Sequence, residues 1–165
     1  MPSLHLLGLA AVLTLAGCVS TIESLKNSPA NDLVGQPPLQ PGASGEPVVI
    51  LNNRGGNVVQ TIQRRRQLEQ SGVPVEVRGY CGSACTLFIT MPNACLAPDA
   101  TVGFHAPRIP NTTIIPPGVD DIMGSYYRNG VLERWNADWK HSLQIQKISA
   151  KEYVAADPQT RLCPR

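Results

Sequence analysis

Three short stretches of the chain hold the residue types that acyl transfer requires: Gly55-Gly56, Gly82-Ser83-Ala84 and His105. Such chemistry needs a nucleophile, a base within reach of it, and backbone N–H groups aimed at the oxyanion that develops on the attacked carbonyl. Ser83 offers the hydroxyl, and its small neighbours leave the approach open. His105 follows the run Thr101-Val102-Gly103-Phe104, and a neutral imidazole accepts a serine proton near pH 7. Gly55-Gly56 lets a backbone N–H come close to a substrate carbonyl because no Cβ intervenes, and the Ala84 N–H is a second donor. One at a time these residues have plainer explanations: an N-cap serine, a tight turn, a strand-end histidine bonded to backbone. Together, in this order, they point to a shared site.

The elements that must position them follow from the pattern of apolar residues. Val48 to Leu51 is a continuous β-favouring run that stops at Asn52-Asn53, which suits a buried central strand. Asn57 is placed to cap a helix running to about Gln70, with Val58, Val59, Ile62 and Leu68 as apolar contacts, and Gly72 closes it. Val73 to Arg78 reads as a second strand, so strand, helix and strand form a right-handed parallel crossover. Ser83 starts the next helix, which stops at Met91 because Pro92 cannot continue it. Short strands near Ala94–Leu96 and Thr101–His105 come next, and Val119–His141 reads as helical. Trp135 and Trp139, four apart, belong on one packed helix face. The alternation describes a small α/β domain with a mainly parallel sheet and flanking helices. In such sheets working residues gather at the carboxyl ends of strands, where Gly55-Gly56, Ser83 and His105 all fall.

The segment Leu51-Asn52-Asn53-Arg54-Gly55-Gly56-Asn57-Val58 resembles the strand-turn signature of the ClpP/crotonase superfamily. Gly79-Tyr80-Cys81-Gly82-Ser83-Ala84-Cys85 is similar to the nucleophile segment of Clp-type serine peptidases, and Val102-Gly103-Phe104-His105-Ala106-Pro107 to their histidine segment. Periplasmic ClpP-like proteins with a Cys-x-Ser-Ala-Cys motif are the nearest likeness, and Ser149-Ala150-Lys151-Glu152 resembles a later helix start of the family. The resemblance implies Ser83 as nucleophile, His105 as general base, and Gly55, Gly56 and Ala84 around the oxyanion, with peptide hydrolysis through an acyl-enzyme. It implies no cofactor and no metal. Arg54 stands where the family has proline, and Leu143–Lys147 carries no carboxylate where the family has its third triad member. Asp138, Asp157, Gln144 and Gln146 are the residues left to orient the histidine. The family's first strands and helix are also missing before the Gly-Gly turn, so the domain is a shortened one whose sheet edge needs a partner or a homo-oligomer to cover it. A catalytically idle ClpP-like module, serving as a binding or structural lipoprotein of the envelope, is the rival reading.

Leu4–Ala16 is apolar, uncharged and too short for a comfortable membrane span, so residues 1–17 read as a signal peptide. Leu15-Ala16-Gly17-Cys18 resembles the lipobox of bacterial lipoproteins, which implies acylation of Cys18, palmitate included. Two or more chains on one cysteine anchor stably. Val19 rather than Asp after the cysteine implies sorting to the outer membrane, with the domain on the periplasmic face. Residues 18–46 are rich in Ser, Asn, Pro and Gly, a lipidated flexible tether, and 47–165 is one domain.

Cys81, Cys85, Cys95 and Cys163 remain in the domain, and in an oxidising compartment they allow three pairings into two disulfides. No Cys-x-x-Cys pair is present to favour zinc. A net charge of +2, with Arg64-Arg65-Arg66 as the one basic cluster on a solvated helix face, argues against nucleic acid as a partner. The Ile109–Gly118 segment, rich in Pro and β-branched residues, is either a surface loop or a lid beside His105.

Overall fold

The computed structural model describes residues 45–164. The residues read as a signal peptide, Cys18 and all but the last two residues of the expected tether lie outside the described residues. The described chain is α/β, with a five-stranded mixed sheet. Strand β1 (Val48–Asn53) leads into helix α1 (Val58–Ser71) and back to β2 (Val75–Gly82), parallel to β1. A 3-10 segment, Ser83–Phe88, is followed by β3 (Ala94–Leu96) and β4 (Thr101–Phe104). Helices α2 (Val119–Gly124) and α3 (Asn129–Ala137) precede β5 (Gln146–Ser149) and α4 (Ala150–Ala156).

Strand β2 organises the sheet. One edge carries β1; the other carries β3 against its first half and β4 against its second, all parallel, and β5 closes on β4 antiparallel. The sheet is thus parallel around the candidate site and antiparallel only at β5. Side chains alternate, and Ile50, Val75, Val77, Val102 and Phe104 point into one core with Ile62, Leu68, Leu87, Phe88, Trp135 and Tyr153. Trp135 and Trp139 are both buried, and Phe104 stacks on Trp139 with centroids 4.2 Å apart.

Helix α1 begins and ends where its capping residues require. The Asn57 side chain accepts from Gln60 N–H at 3.1 Å, and Gly72 ends the helix at φ 66°. Four features differ from the sequence reading. First, β1 is an edge strand among the described residues, with Val49 49% and Leu51 61% exposed on the face opposite the core. An apolar run cannot by itself say whether both faces are covered.

Second, Ser83 opens a 3-10 segment rather than an α-helix to Met91. Third, Val119–His141 is not one helix: α2 ends at Gly124, α3 runs only from Asn129 to Ala137, and Trp139–His141 is a 3-10 turn; Gly124 packs on Trp135 so closely that a Cβ there would sit 3.1 Å from the indole nitrogen. Fourth, the middle arginine of the basic cluster is buried, not solvated. Arg65 donates to Leu87 O and to Thr90 Oγ1 (2.8 Å), pairs with Glu69 (2.8 Å) and lies over the Tyr126 ring. Its guanidinium therefore ties α1 to the end of the Ser83–Phe88 segment.

The cysteines pair as Cys81–Cys85 and Cys95–Cys163. The second joins β3 to a C-terminal tail whose residues exchange hydrogen bonds with Leu96, Leu96 N–H to Arg161 O and Cys163 N–H to Leu96 O, both 2.9 Å. Where that tail leaves α4, Asp157, fully buried, accepts from Arg128 (2.7 Å), Asn129 Nδ2 (2.7 Å) and Thr160 Oγ1 (2.7 Å). Burial raises its pKa, but the hydrogen bonds from Thr160, Arg128 and Asn129 prevail and hold it below the usual carboxylate range.

Two stability predictions follow from these closures. The Cys95–Cys163 bond spans 68 positions and the Cys81–Cys85 bond 4. On the chain-entropy model, Ala replacement of the first pair costs about 4 kcal/mol and of the second about 2 kcal/mol, read from urea unfolding under non-reducing conditions. Asp157→Ala leaves Arg128 without its carboxylate and costs about 2 to 3 kcal/mol at pH 7. Because the folded pKa of Asp157 is depressed, its contribution is present above the unfolded pKa and is lost as pH falls below about 4. The gap between wild type and Asp157→Ala should accordingly narrow from pH 7 to pH 3.

Candidate active site

The register of β2 and β4 brings the sequence-predicted residues to one end of the sheet. Gly82 and Gly103 are partners across the parallel pair, so Ser83 and His105 leave the carboxyl ends of adjacent strands. Gly55 leaves the same end of β1. Asn53 pairs with Cys81 after an irregularity in the β1–β2 register between Leu51 and Asn53. Asn52, at φ 49°, fills that irregularity: its side-chain oxygen accepts from Tyr80 N–H at 3.0 Å.

Ser83 itself is held at φ 55°, in the left-handed region. For a residue with a Cβ this costs on the order of 1 kcal/mol or more and persists only where surrounding structure imposes it. The surrounding structure is visible. Gly82 before it is extended, the Cys81–Cys85 disulfide bridges across it, and Thr86 Oγ1 bonds to Ser83 O (2.7 Å) and to the buried Tyr127 hydroxyl (2.7 Å). Burial pushes the Tyr127 phenol well up, which keeps it a neutral hydrogen-bonding partner. Ser83 remains half-buried rather than sealed under the Ile109–Gly118 segment, whose Ile109, Ile114 and Ile115 are exposed.

The Gly55 turn is pressed against this nucleophile segment. A Cβ on Gly55 would lie 2.7 Å from Gly82 O, 2.7 Å from Ser83 Cβ and 2.8 Å from Ala84 N, and its φ is 88°. Only glycine fits. The three candidate oxyanion residues then divide their roles. Gly55 N–H donates to Asn53 Oδ1 at 2.8 Å, so Gly55 contributes closeness rather than a free donor. Gly56 N–H and Ala84 N–H, the latter in the first turn of the 3-10 segment, are the donors left for a substrate oxygen. Sequence reading put Gly56 and Ala84 ahead of Gly55, and Asn53, two residues before Gly55, is the usual signature of such a side-chain-to-backbone turn.

His105 is half-buried, with Nδ1 2.7 Å from its neighbour's carbonyl, Ala106 O. Donation from Nδ1–H to that carbonyl leaves Nε2 as the ring's acceptor. Among the described residues no hydrogen bond joins Ser83 Oγ to the ring, and neither Asp138, Asp157, Gln144 nor Gln146 bonds to it. Asp157 is committed to Arg128, Asn129 and Thr160, and Asp138 is the exposed end of α3. A backbone carbonyl, not a carboxylate, orients the histidine.

Tyr80 was not singled out by sequence reading. Its ring lies across Gly82 and Gly103, with the hydroxyl 2.3 Å and 2.5 Å from where their Cβ atoms would be. The Tyr80 phenol is raised by partial burial, against the opposing pull of the Arg54 charge. Cys95 and Cys163, with Glu76 within 4.8 Å, form the one metal-like grouping among the described residues, but both sulfurs are in the disulfide and offer no thiolate.

No family model and no curated protein matches the chain.

Gly55→Ala should clash with the backbone on both sides of Ser83 and strain a positive φ. The expected cost is about 2 to 4 kcal/mol by urea unfolding. Gly72→Ala, also at positive φ but with open space around it, should cost about 1 kcal/mol.

Proposed function

We propose that the chain is a membrane-anchored serine hydrolase of the ClpP/crotonase type, acting on peptides through Ser83 and His105. The observation that carries this reading is the placement of Ser83: a strained serine at φ 55°, half-buried, with a glycine turn packed directly against it and, among the described residues, two backbone N–H groups alongside without a hydrogen-bond partner, Gly56 and Ala84. Ser83 Oγ attacks the carbonyl carbon while its proton passes to His105 Nε2. The oxyanion draws hydrogen bonds from Gly56 and Ala84 N–H. The C–N bond breaks as His105 returns the proton to the leaving amine, and water, activated by the same ring, releases the acyl group.

Attachment through acylated Cys18 would hold this domain at the outer membrane on its periplasmic side. The disulfides suit that compartment, since such bonds persist where conditions are oxidising. A second reading, an idle ClpP-like binding module, is favoured by one observation: the His105 ring is steered by the Ala106 carbonyl and no acidic residue. A neutral carbonyl stabilises the imidazolium less than a carboxylate does, and loss of the acidic triad member can lower rates by orders of magnitude.

Fluorophosphonate labelling of the full-length chain in detergent separates the two. Labelling of the native protein that falls at least a hundredfold in Ser83→Ala and His105→Ala establishes an activated serine. A folded, disulfide-intact sample that does not label excludes the hydrolase and leaves the binding module.

A further inference from the structure

The helices of the described domain pack against one face of the sheet, and the other face carries Val49, Leu51, Glu76, Arg78, Tyr80, Thr101 and Lys147. On this open face Tyr80 extends toward the carboxyl ends of β2 and β4. Its hydroxyl rests beside Gly82, the residue before Ser83, and beside Gly103, two residues before His105. Both positions must be glycine for the ring to lie there, since any Cβ would overlap it. The hydroxyl has no hydrogen-bond partner among the described residues.

Two cations act on the Tyr80 side chain. Lys147 is the β5 partner of Gly103, and its Nζ lies 5.7 Å from the Tyr80 ring centroid. Arg54 belongs to the turn that packs on Ser83 from the β1 side, and its charge acts on the Tyr80 hydroxyl. Arg54 comes from the turn after β1 and Lys147 from β5, on opposite sides of the β2–β4 pair. Both cations are exposed, and neither is in an ion pair among the described residues. Glu76, the carboxylate on this face, is taken by Arg78 at 2.7 Å. The site end of the face therefore holds two uncompensated positive charges and a hydroxyl, beside a nucleophile that needs no cation of its own.

We propose that Arg54, Lys147 and the Tyr80 hydroxyl form an anion subsite that holds a carboxylate of the substrate next to the bond Ser83 attacks. The inference rests on the serine-hydrolase reading and narrows its substrates to peptides with an acidic side chain or a free C-terminal carboxylate at that place. An arginine presents a planar fork to a carboxylate, the lysine adds a point charge, and the phenol donates between them.

The test is protection of Ser83 from a neutral fluorophosphonate by three alanine-based tripeptides. One is capped at both ends, one is capped but carries a central aspartate, and one has a free C-terminal carboxylate. At least one carboxylate peptide should protect at a concentration about tenfold lower than the neutral peptide, and which one does so identifies the source of the carboxylate. That advantage should shrink to about twofold or less in Arg54→Gln/Lys147→Gln, and be reduced a few-fold in Tyr80→Phe, which keeps the ring over Gly82 and Gly103. It should also weaken in 0.5 M salt. Equal protection by all three peptides, or an advantage that survives the double substitution, overturns the subsite while labelling itself leaves the hydrolase standing. A native protein that never labels overturns both.

Discussion

The close approach of the Gly55 turn to Ser83 and Ala84 is the contact on which the candidate site depends. It joins the end of β1 to the end of β2 through backbone atoms, with no side chain between them. Because the contact is backbone against backbone, it sets where donors and nucleophile stand relative to each other. Asn52 and Asn53 make it possible: one bridges the register irregularity to Tyr80 N–H, and the other holds Gly55 N–H. Arg65 secures the same alignment from below by tying α1, which follows the turn, to the last residues of the Ser83–Phe88 segment.

The nucleophile segment is stabilised from several directions at once, which is what a strained backbone needs. The Cys81–Cys85 bond restricts the chain on either side of Ser83, and Thr86 with Tyr127 anchors the Ser83 carbonyl to the core. Both cysteines are fully buried, so the clamp is sheltered as well as short. The Cys95–Cys163 bond works at longer range by fastening the C-terminal tail to β3. A core served by few aromatic residues gains from such closures, and those aromatics are gathered where β4 meets α3 and the segment after it.

His105 is held differently from Ser83. His105 relies on Ala106 O, and the two aspartates that could have served it are elsewhere: Asp157 completes a buried network with Arg128, while Asp138 ends a helix in solvent. The open sheet face adds a second asymmetry: Lys147 stands on the β5 side of Tyr80, while Arg54 belongs to the glycine turn on the β1 side.

Much of this was legible in the sequence. Residues 47–165 announced an α/β alternation, Asn57 and Gly72 marked the limits of α1, and glycine, serine and histidine fell at strand ends, because capping and strand patterning are local properties. Only the tertiary structure decided that β1 lies at an edge, that Arg65 is buried, that the four cysteines pair as they do, and that Tyr80 lies across two glycines. It also decided that the Gly55 N–H is taken by Asn53 while Gly55 itself lies against Ser83 and Ala84. Each of those depends on which segment lies against which across tens of residues, and an apolar run, an arginine or a cysteine carries no record of its distant neighbour. The local chain therefore wrote the elements, and long-range packing chose the partners.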